Sequence, residues 1–358
     1  MALQASYSKK IFQFGFEART SRGSMKDKIS WFIEVWDEKN SEIVGVGECG
    51  PLPGLSVDDR PDFEEVMRDV IQKVPALKTF DVLAGGNLDE IIPMGFPAIR
   101  FGFETALFDL SNGGKRIIFD NNFRKGIPIP INGLIWMGDM DFMKHQVDQK
   151  IKEGFRCIKL KVGGLDDDSE CNLLEYIRKR YFREDIAIRL DANGAFNTDD
   201  VLSRLLELSK FGIHSIEQPI KPDLPEMEEL CRKSPIPIAL DEELIGKEAH
   251  HAKVSLLHRL KPQFVVLKPT LHGGLSGCKT WIELAESLGI SWWITSALES
   301  NIGLNAICQF TANYPVLIPQ GLGTGTIYKN NIASPLRIEN GNILYDHQRS
   351  WGPLSGIR

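Results

Sequence analysis

The chain has 358 residues, 42% of them hydrophobic and 25% charged, with a formal net charge of -6. That length is ample for one or two domains with a large core. The acidic balance and scattered Lys and Arg leave no basic stripe for a phosphate backbone, which excludes nucleic acid as the expected partner. No window approaches the ~18 uninterrupted apolar residues of a membrane span, and "MALQASYSKKIFQFGF" has no apolar run after its positive charges, so a cytoplasmic protein acting on a small molecule is expected. The six cysteines are dispersed without metal-ligand spacing and read as reduced thiols.

In chain order, "WFIEVWDEKNSEIVGVGEC" (31–49) alternates apolar and polar residues around "EKNSE" and reads as a hairpin. "PAIRFGFETALFDLSNG" (97–113) reads as a helix with a Gly stop. Residues 1 to about 120 are thus expected to form an α+β domain packed over a barrel mouth. From about 128 onward, eight apolar runs recur: "IPIPINGLIW", "CIKLKV", "IAIRLDAN", "HSIEQPI", "IPIALDEE", "FVVLKPT", "ISWWITSA" and "VLIPQGLGT". Between them lie segments such as "VLSRLLELSKFG" and "GCKTWIELAESLG", apolar at three- and four-residue steps, so the region reads as repeated strand–helix units. An open doubly wound sheet gives the same alternation. Two features favour a closed barrel over residues 121–325: no G-x-G-x-x-G follows an early strand, and polar residues end many runs, where a barrel makes all the strand ends converge. The tail "LRIENGNILYDHQ" reads as a further hairpin within a segment, 326–358, expected to return to the first domain.

The run ends carry the chemistry. They hold Lys159 and Lys161, then Asp191 and Asn193, Glu217, Asp241 with Glu242, and Lys268. Alone, each has a plain structural use, such as a helix cap for Asp191 or Asp241. Together they are an ordered Lys, Asp, Glu, Asp, Lys series around one cavity. Three carboxylates without His or Cys favour a hard cation, Mg²⁺ with Mn²⁺ as an alternative, and such a cluster compensates two lysines on one strand face. A carboxylate substrate held there has its α-proton acidified, and a lysine flanked by other cations can be neutral enough to remove it.

"KLK", "DAN", "EQP", "DE" and "LKP" in this order resemble the enolase superfamily, in particular its muconate-lactonising-enzyme subgroup, over nearly the whole chain. The resemblance implies a (β/α)7β TIM-like barrel under an α+β capping domain. It further implies Mg²⁺ at Asp191, Glu217 and Asp241, a base at Lys161, an opposite lysine at Lys268, and supporting roles for Lys159 and Asn193. Within the subgroup, "SRG" (21–23), "GECGPLPGLS" (47–56), "RFGFETALFDL" (100–110), "INGLIWMG" (131–138) and "SALESNIGL" (296–304) resemble the o-succinylbenzoate synthases, Mg-dependent lyases of menaquinone biosynthesis. The first two fall where the family's capping loops lie. Arg189 shares a strand face with Asp191 and could meet a remote substrate carboxylate or serve as a partner for the barrel acids. Thr295 and Gly321, ending the last two strands, are expected substrate contacts. A dipeptide epimerase or N-succinylamino acid racemase is the rival within the fold. "GLGTGT" (321–326) lacks the acidic pair with which the epimerases hold a substrate ammonium, although the synthases often carry an Asp where Gly323 stands. A non-catalytic barrel is the distant rival, and it would be expected to have lost a ligand or a lysine. Nothing in these patterns sets an oligomeric state.

Overall fold

The structure, a computed structural model, describes residues 3–20, 23–77 and 88–354. Ser21 and Arg22 of "SRG" lie outside the described residues. The chain begins with an antiparallel sheet of β1 (Leu3–Thr20), β2 (Gly23–Asp37) and β3 (Asn40–Cys49), in which the "EKNSE" hairpin pairs Trp36 with Val44. Alternation sends Ile33 and Val35 to one face, where they meet Met67 and Val70 of α1 (Phe63–Lys73) and Phe103 of α2 (Pro97–Ser111). Phe12, Phe32 and Val46 go to the other face, against Trp136, Ile302 and Tyr328 from later in the chain. The sheet is therefore covered on both sides, by its own helices and by the barrel.

The next elements are β4 (Ile129–Pro130), β5 (Gly133–Ile135), α3 (Met140–Lys152), β6 (Cys157–Lys161), α4 (Asp167–Arg178), β7 (Ala187–Asp191), α5 (Val201–Ser209) and β8 (Ser215–Glu217). Then come α6 (Glu226–Lys233), β9 (Ile238–Leu240), α7 (His250–Leu260), β10 (Phe264–Leu267), α8 (Gly274–Ser287), β11 (Ser291–Ile294) and α9 (Asn301–Thr311). Strands β5 to β11 form one parallel sheet in chain order. Ile158, Leu160, Ile188 and Leu190 point outward and pack with helix residues such as Leu173, Leu205 and Trp281. Lys159, Lys161, Arg189 and Asp191 therefore point inward.

The eighth run is thinner than a full strand. Gln320 bridges Ile131 and Gly321 bridges Thr295, both in parallel, and these contacts close the ring. Pro319 has no N–H to give, and the Gln320 side chain takes up part of the pairing by accepting the Ile294 N–H at 2.7 Å. The run "IPIPINGLIW" also divides. Ile129–Pro130 pairs with the terminal hairpin β12 (Leu336–Glu339) and β13 (Asn342–Tyr345), and only Gly133–Ile135 joins the barrel sheet. Before that hairpin the chain touches β1, where Phe14 bridges Tyr328.

On β3, Gly45 and Gly47 let the backbone of α2 come close: a Cβ at Gly47 would stand 1.9 Å from the Gly102 carbonyl oxygen. Gly47→Ala should therefore overpack this contact and destabilise the protein by about 1–3 kcal/mol. Thermal or urea denaturation reads this as a lowered midpoint, and a wild-type midpoint would contradict the close approach.

Candidate active site

Strand register assembles the site. Lys161 stands opposite Asp191, Asp191 opposite Glu217, and Glu217 opposite Ala239, two residues before Asp241. Lys268 follows β10. Counting Ile131–Ile135 as the first of eight positions, β6 is the second and β10 the sixth, so Lys161 and Lys268 face each other across the ring. Asp191, Glu217 and Asp241 are buried, each with an oxygen within 4.8 Å of the others.

Like charges at this spacing are tolerable because cations are threaded between them. Lys159 Nζ lies 2.5 Å from Glu217 Oε2 and 2.8 Å from Asp191 Oδ2. Lys161 Nζ donates to Asp191 Oδ2 at 2.6 Å and to Asn193 Oδ1 at 2.9 Å. Lys268 Nζ reaches both oxygens of Asp241, at 2.6 and 2.5 Å. Burial by itself would weaken the Lys159 ammonium, but Asp191, Glu217 and Asp241 outweigh it and hold its pKa well above the usual lysine value. Lys161 goes the other way. Burial lowers it, Asp191 opposes, and the neighbouring Lys159 charge adds to the lowering. The depression expected from neighbouring charge is thus present, with desolvation as its larger cause. Burial would raise Asp191, yet Lys159 and Lys161 keep it well below the ordinary carboxylate range. Glu217 is pushed up to about 7 by burial, against the pull of Lys159 and with the repulsion of Asp191 and Asp241.

Glu217 Oε1 is buried and has no hydrogen-bond partner. An unsatisfied buried acceptor is costly, and three hard oxygens converge beside it, so the residues present suit a hard divalent cation. The triad could hold a metal ion.

Asn193 has a left-handed backbone, φ 46°. It joins Lys161 to Glu242, whose Oε1 accepts from Asn193 Nδ2 at 2.9 Å, and its own N–H reaches Asp191 Oδ1 at 3.1 Å. Arg189 is placed differently from the expectation. One layer below Asp191, it is fully buried, with its guanidinium 4.0 Å from the Trp293 ring centre and Nη1 donating to the Pro319 carbonyl at 2.8 Å. The shared face holds, but these two contacts keep the guanidinium out of the cavity lining, whereas Lys159, in register with Arg189 on the next strand, does reach it. Thr295 and Gly321 do line the cavity, and they also bind each other, with Thr295 Oγ1 donating to the Gly321 carbonyl at 2.9 Å.

The cavity holds about 600 Å³, with Lys161, Asp191 and Lys268 at its base and Phe16, Met25, Leu52, Trp136 and Leu298 on its walls. Leu52 comes from "PLPG". Reading the sequence missed the walls contributed by Phe16 and Met25, which come from the distant first sheet. It also missed His272, whose Nδ1 accepts the Lys268 backbone N–H at 3.0 Å; burial drops this imidazole to about 3, so it is neutral. Its spacing of four residues from Lys268 was the available signal.

Residues 143–348 match the family model described as Enolase C-terminal domain-like, and the chain belongs to that family, within the enolase superfamily. It is 42% identical to the o-succinylbenzoate synthase of Desulfotalea psychrophila, over 95% of this chain and 98% of that one. The crystal structure of MenC from the same organism superposes with a TM-score of 0.86 at 39% identity, covering 96% of this chain and all of the other. A dipeptide epimerase from Enterococcus faecalis, crystallised with Mg and L-Leu-L-Tyr, has a TM-score of 0.84 at 20% identity, covering 98% and 99% of the two chains, and shares the fold.

A cation bound by the folded triad stabilises the native state, by about 2.7 kcal/mol at a hundredfold excess over Kd. Adding Mg²⁺ to chelator-stripped protein should raise Tm, and Glu217→Gln should shrink that rise. An unchanged Tm in wild type at millimolar Mg²⁺ would count against the cation site.

Proposed function

We propose that this protein is an o-succinylbenzoate synthase: it removes water from 2-succinyl-6-hydroxy-2,4-cyclohexadiene-1-carboxylate to form o-succinylbenzoate. The observation that carries this reading is the pair of lysines facing each other across the acidic triad, in a chain 42% identical to such a synthase along nearly its whole length. In the roles proposed here, Asp191, Glu217 and Asp241 hold Mg²⁺, which when bound supplies a counter-charge to the ring carboxylate. Lys161, whose ammonium is weakened by burial, takes the proton α to that carboxylate. Lys159 stays protonated between Asp191 and Glu217, keeping Asp191 anionic and partly offsetting the burial that raises Glu217. Lys268, across the ring, remains a cation against the negative charge that develops, and lies under the forming π system. Lys161 then returns its proton to the departing 6-hydroxyl, so proton and hydroxide leave from one face and the ring becomes aromatic. Thr295 and Gly321 are proposed to touch the substrate, and the apolar walls of Phe16, Met25, Leu52 and Trp136 exclude water from it. The reading places the enzyme in menaquinone biosynthesis, in the cytoplasm, acting as a lyase on a small carboxylate.

The absence of an acid in "GLGTGT" leaves nothing at Gly321–Thr326 to bind a substrate ammonium, which speaks against a dipeptide substrate. The deciding assay gives purified protein and Mg²⁺ the cyclohexadiene substrate, and separately N-succinylamino acids and L-Ala-L-Glu in D₂O with α-deuteration followed by NMR. Fast o-succinylbenzoate formation is expected. Exchange of the amino-acid panel without any o-succinylbenzoate would identify a racemase instead. Lys161→Ala and Lys268→Ala should each fold and lose at least ~10²-fold in kcat, as positioned acid–base groups do, and EDTA should abolish turnover until Mg²⁺ or Mn²⁺ is restored. Retention of about a tenth or more of wild-type kcat in either variant would overturn that lysine's role.

A further inference from the structure

Behind the cavity runs a buried hydrogen-bond chain that the lysines and the acidic triad do not use. Glu48, fully buried near the end of β3, collects four donors. Ser30 Oγ and the Ser300 N–H reach Oε1 at 2.7 and 2.9 Å, while Ser300 Oγ and the Gly303 N–H reach Oε2 at 2.5 and 3.0 Å. The first sheet is thereby fastened to the first turn of α9, which begins directly after the cavity wall. Glu299, also fully buried, takes the Thr270 hydroxyl on Oε1 and the Ala297 N–H on Oε2, the latter at 2.8 Å. Thr270 stands two residues after Lys268, and Ser296, Ala297 and Leu298 line the cavity.

The segment so held is strained. Leu298 has φ 61°, a left-handed conformation unfavourable for a leucine and maintained only where the surroundings impose it. Its carbonyl is pinned by the Tyr328 hydroxyl at 2.6 Å. Buried Lys28 adjoins the same cluster, 3.4 Å from Ser30 Oγ, and Gly50 rests so close that a Cβ there would stand 2.4 Å from Lys28 Nζ. Gly50 leads into "PLPG" and Leu52, so the far wall of the cavity starts from this hub as well.

We propose that Glu48, Glu299 and Thr270 are positioning residues that lock the Lys268 loop, the Ser296–Leu298 wall and the first sheet into one fixed relation. The geometry divides their effects. Thr270, bonded to Glu299 next to Lys268, acts on the catalytic lysine and hence on kcat. Glu48, bonded to Ser300, acts on the wall and hence on KM. The kinetic part rests on the proposed dehydration; the conformational part stands without it.

Thr270→Val exchanges the hydroxyl for a methyl of similar size and so removes the bond to Glu299, and a misplaced catalytic group should cost ~10- to 10²-fold in kcat with KM within about threefold. Thr270→Ser keeps the hydroxyl and should return kcat to within about threefold of wild type. Glu48→Gln turns an NH₂ toward donors that need an acceptor, and should raise KM by about tenfold with a smaller change in kcat. Amide hydrogen exchange should then quicken in residues 295–304 while β7 and β8 stay protected. Wild-type kcat in Thr270→Val, or an equal loss in Thr270→Ser, would overturn the Thr270–Glu299 link. Unchanged exchange at 295–304 in Glu48→Gln would overturn the locking role of Glu48. If wild type does not dehydrate the cyclohexadiene, the proposed function fails while the exchange measurement still decides this inference; if Thr270→Val does not fold, Thr270→Ser kinetics and the Glu48→Gln exchange decide it.

Discussion

Three carboxylates cannot be buried together in a barrel mouth unless something offsets their repulsion. Lys159, between Asp191 and Glu217, is the central such element here, with Lys161 on Asp191 and Lys268 on Asp241 beside it. Removing one partner from such a buried cluster leaves an uncompensated charge in a medium of low dielectric, so neither the acids nor this lysine can be understood separately. The strand pleat makes the arrangement buildable. Because β6 turns Lys159 and Lys161 to the same side, one lysine can neutralise the acids while its neighbour, two residues nearer the mouth, is weakened by burial and by that same neutralising charge. Two adjacent ammonium groups in similar surroundings thus come to differ in basicity.

The polar cluster was legible because it obeys two simple periodicities. An alternating strand points every second residue inward, and a closed barrel brings successive strand ends together, so the order Lys, Asp, Glu, Asp, Lys in the chain becomes an order around a ring. The core obeyed the same rule, with Ile158, Leu160, Ile188 and Leu190 outward. Depth within the barrel was harder to read. Arg189 satisfies the same-face rule as well as Lys161 does, yet sits one layer down against Trp293. Lys159, its register partner, still reaches the acids, so periodicity gives direction from the axis, whereas the reach of a side chain depends on partners such as Trp293 and Pro319 that lie far off in sequence. Phe16 and Met25 were not foreseeable for another reason: they reach the cavity by tertiary packing of a sheet remote in sequence. The eighth run has the pattern of a strand, but it contributes two bridging residues beside a proline, with a glutamine side chain standing in for part of the ladder.

A rigid polar base and apolar walls drawn from several separate segments give the cavity two kinds of control. The base is set by backbone pairing among adjacent strands and changes little unless the barrel itself changes. The walls come from β1, β2, the "PLPG" turn and the loops after β5 and β11. A substitution in those segments alters cavity shape without disturbing the lysines, which suits a fold on which loop variation changes the substrate while the proton-transfer chemistry stays.

The way the ring is closed also bears on how the chain can be made. Gln320 and Gly321 complete the circle, Ile343 pairs with Ile129, and Tyr328 pairs with Phe14. During synthesis, then, the amino-terminal sheet and the first seven barrel strands emerge before the segment that seals them. An exposed strand edge must wait for it, the situation in which nascent chains aggregate or call on chaperones. Loss of the last few dozen residues would therefore leave an open, edge-exposing sheet rather than a slightly shorter enzyme.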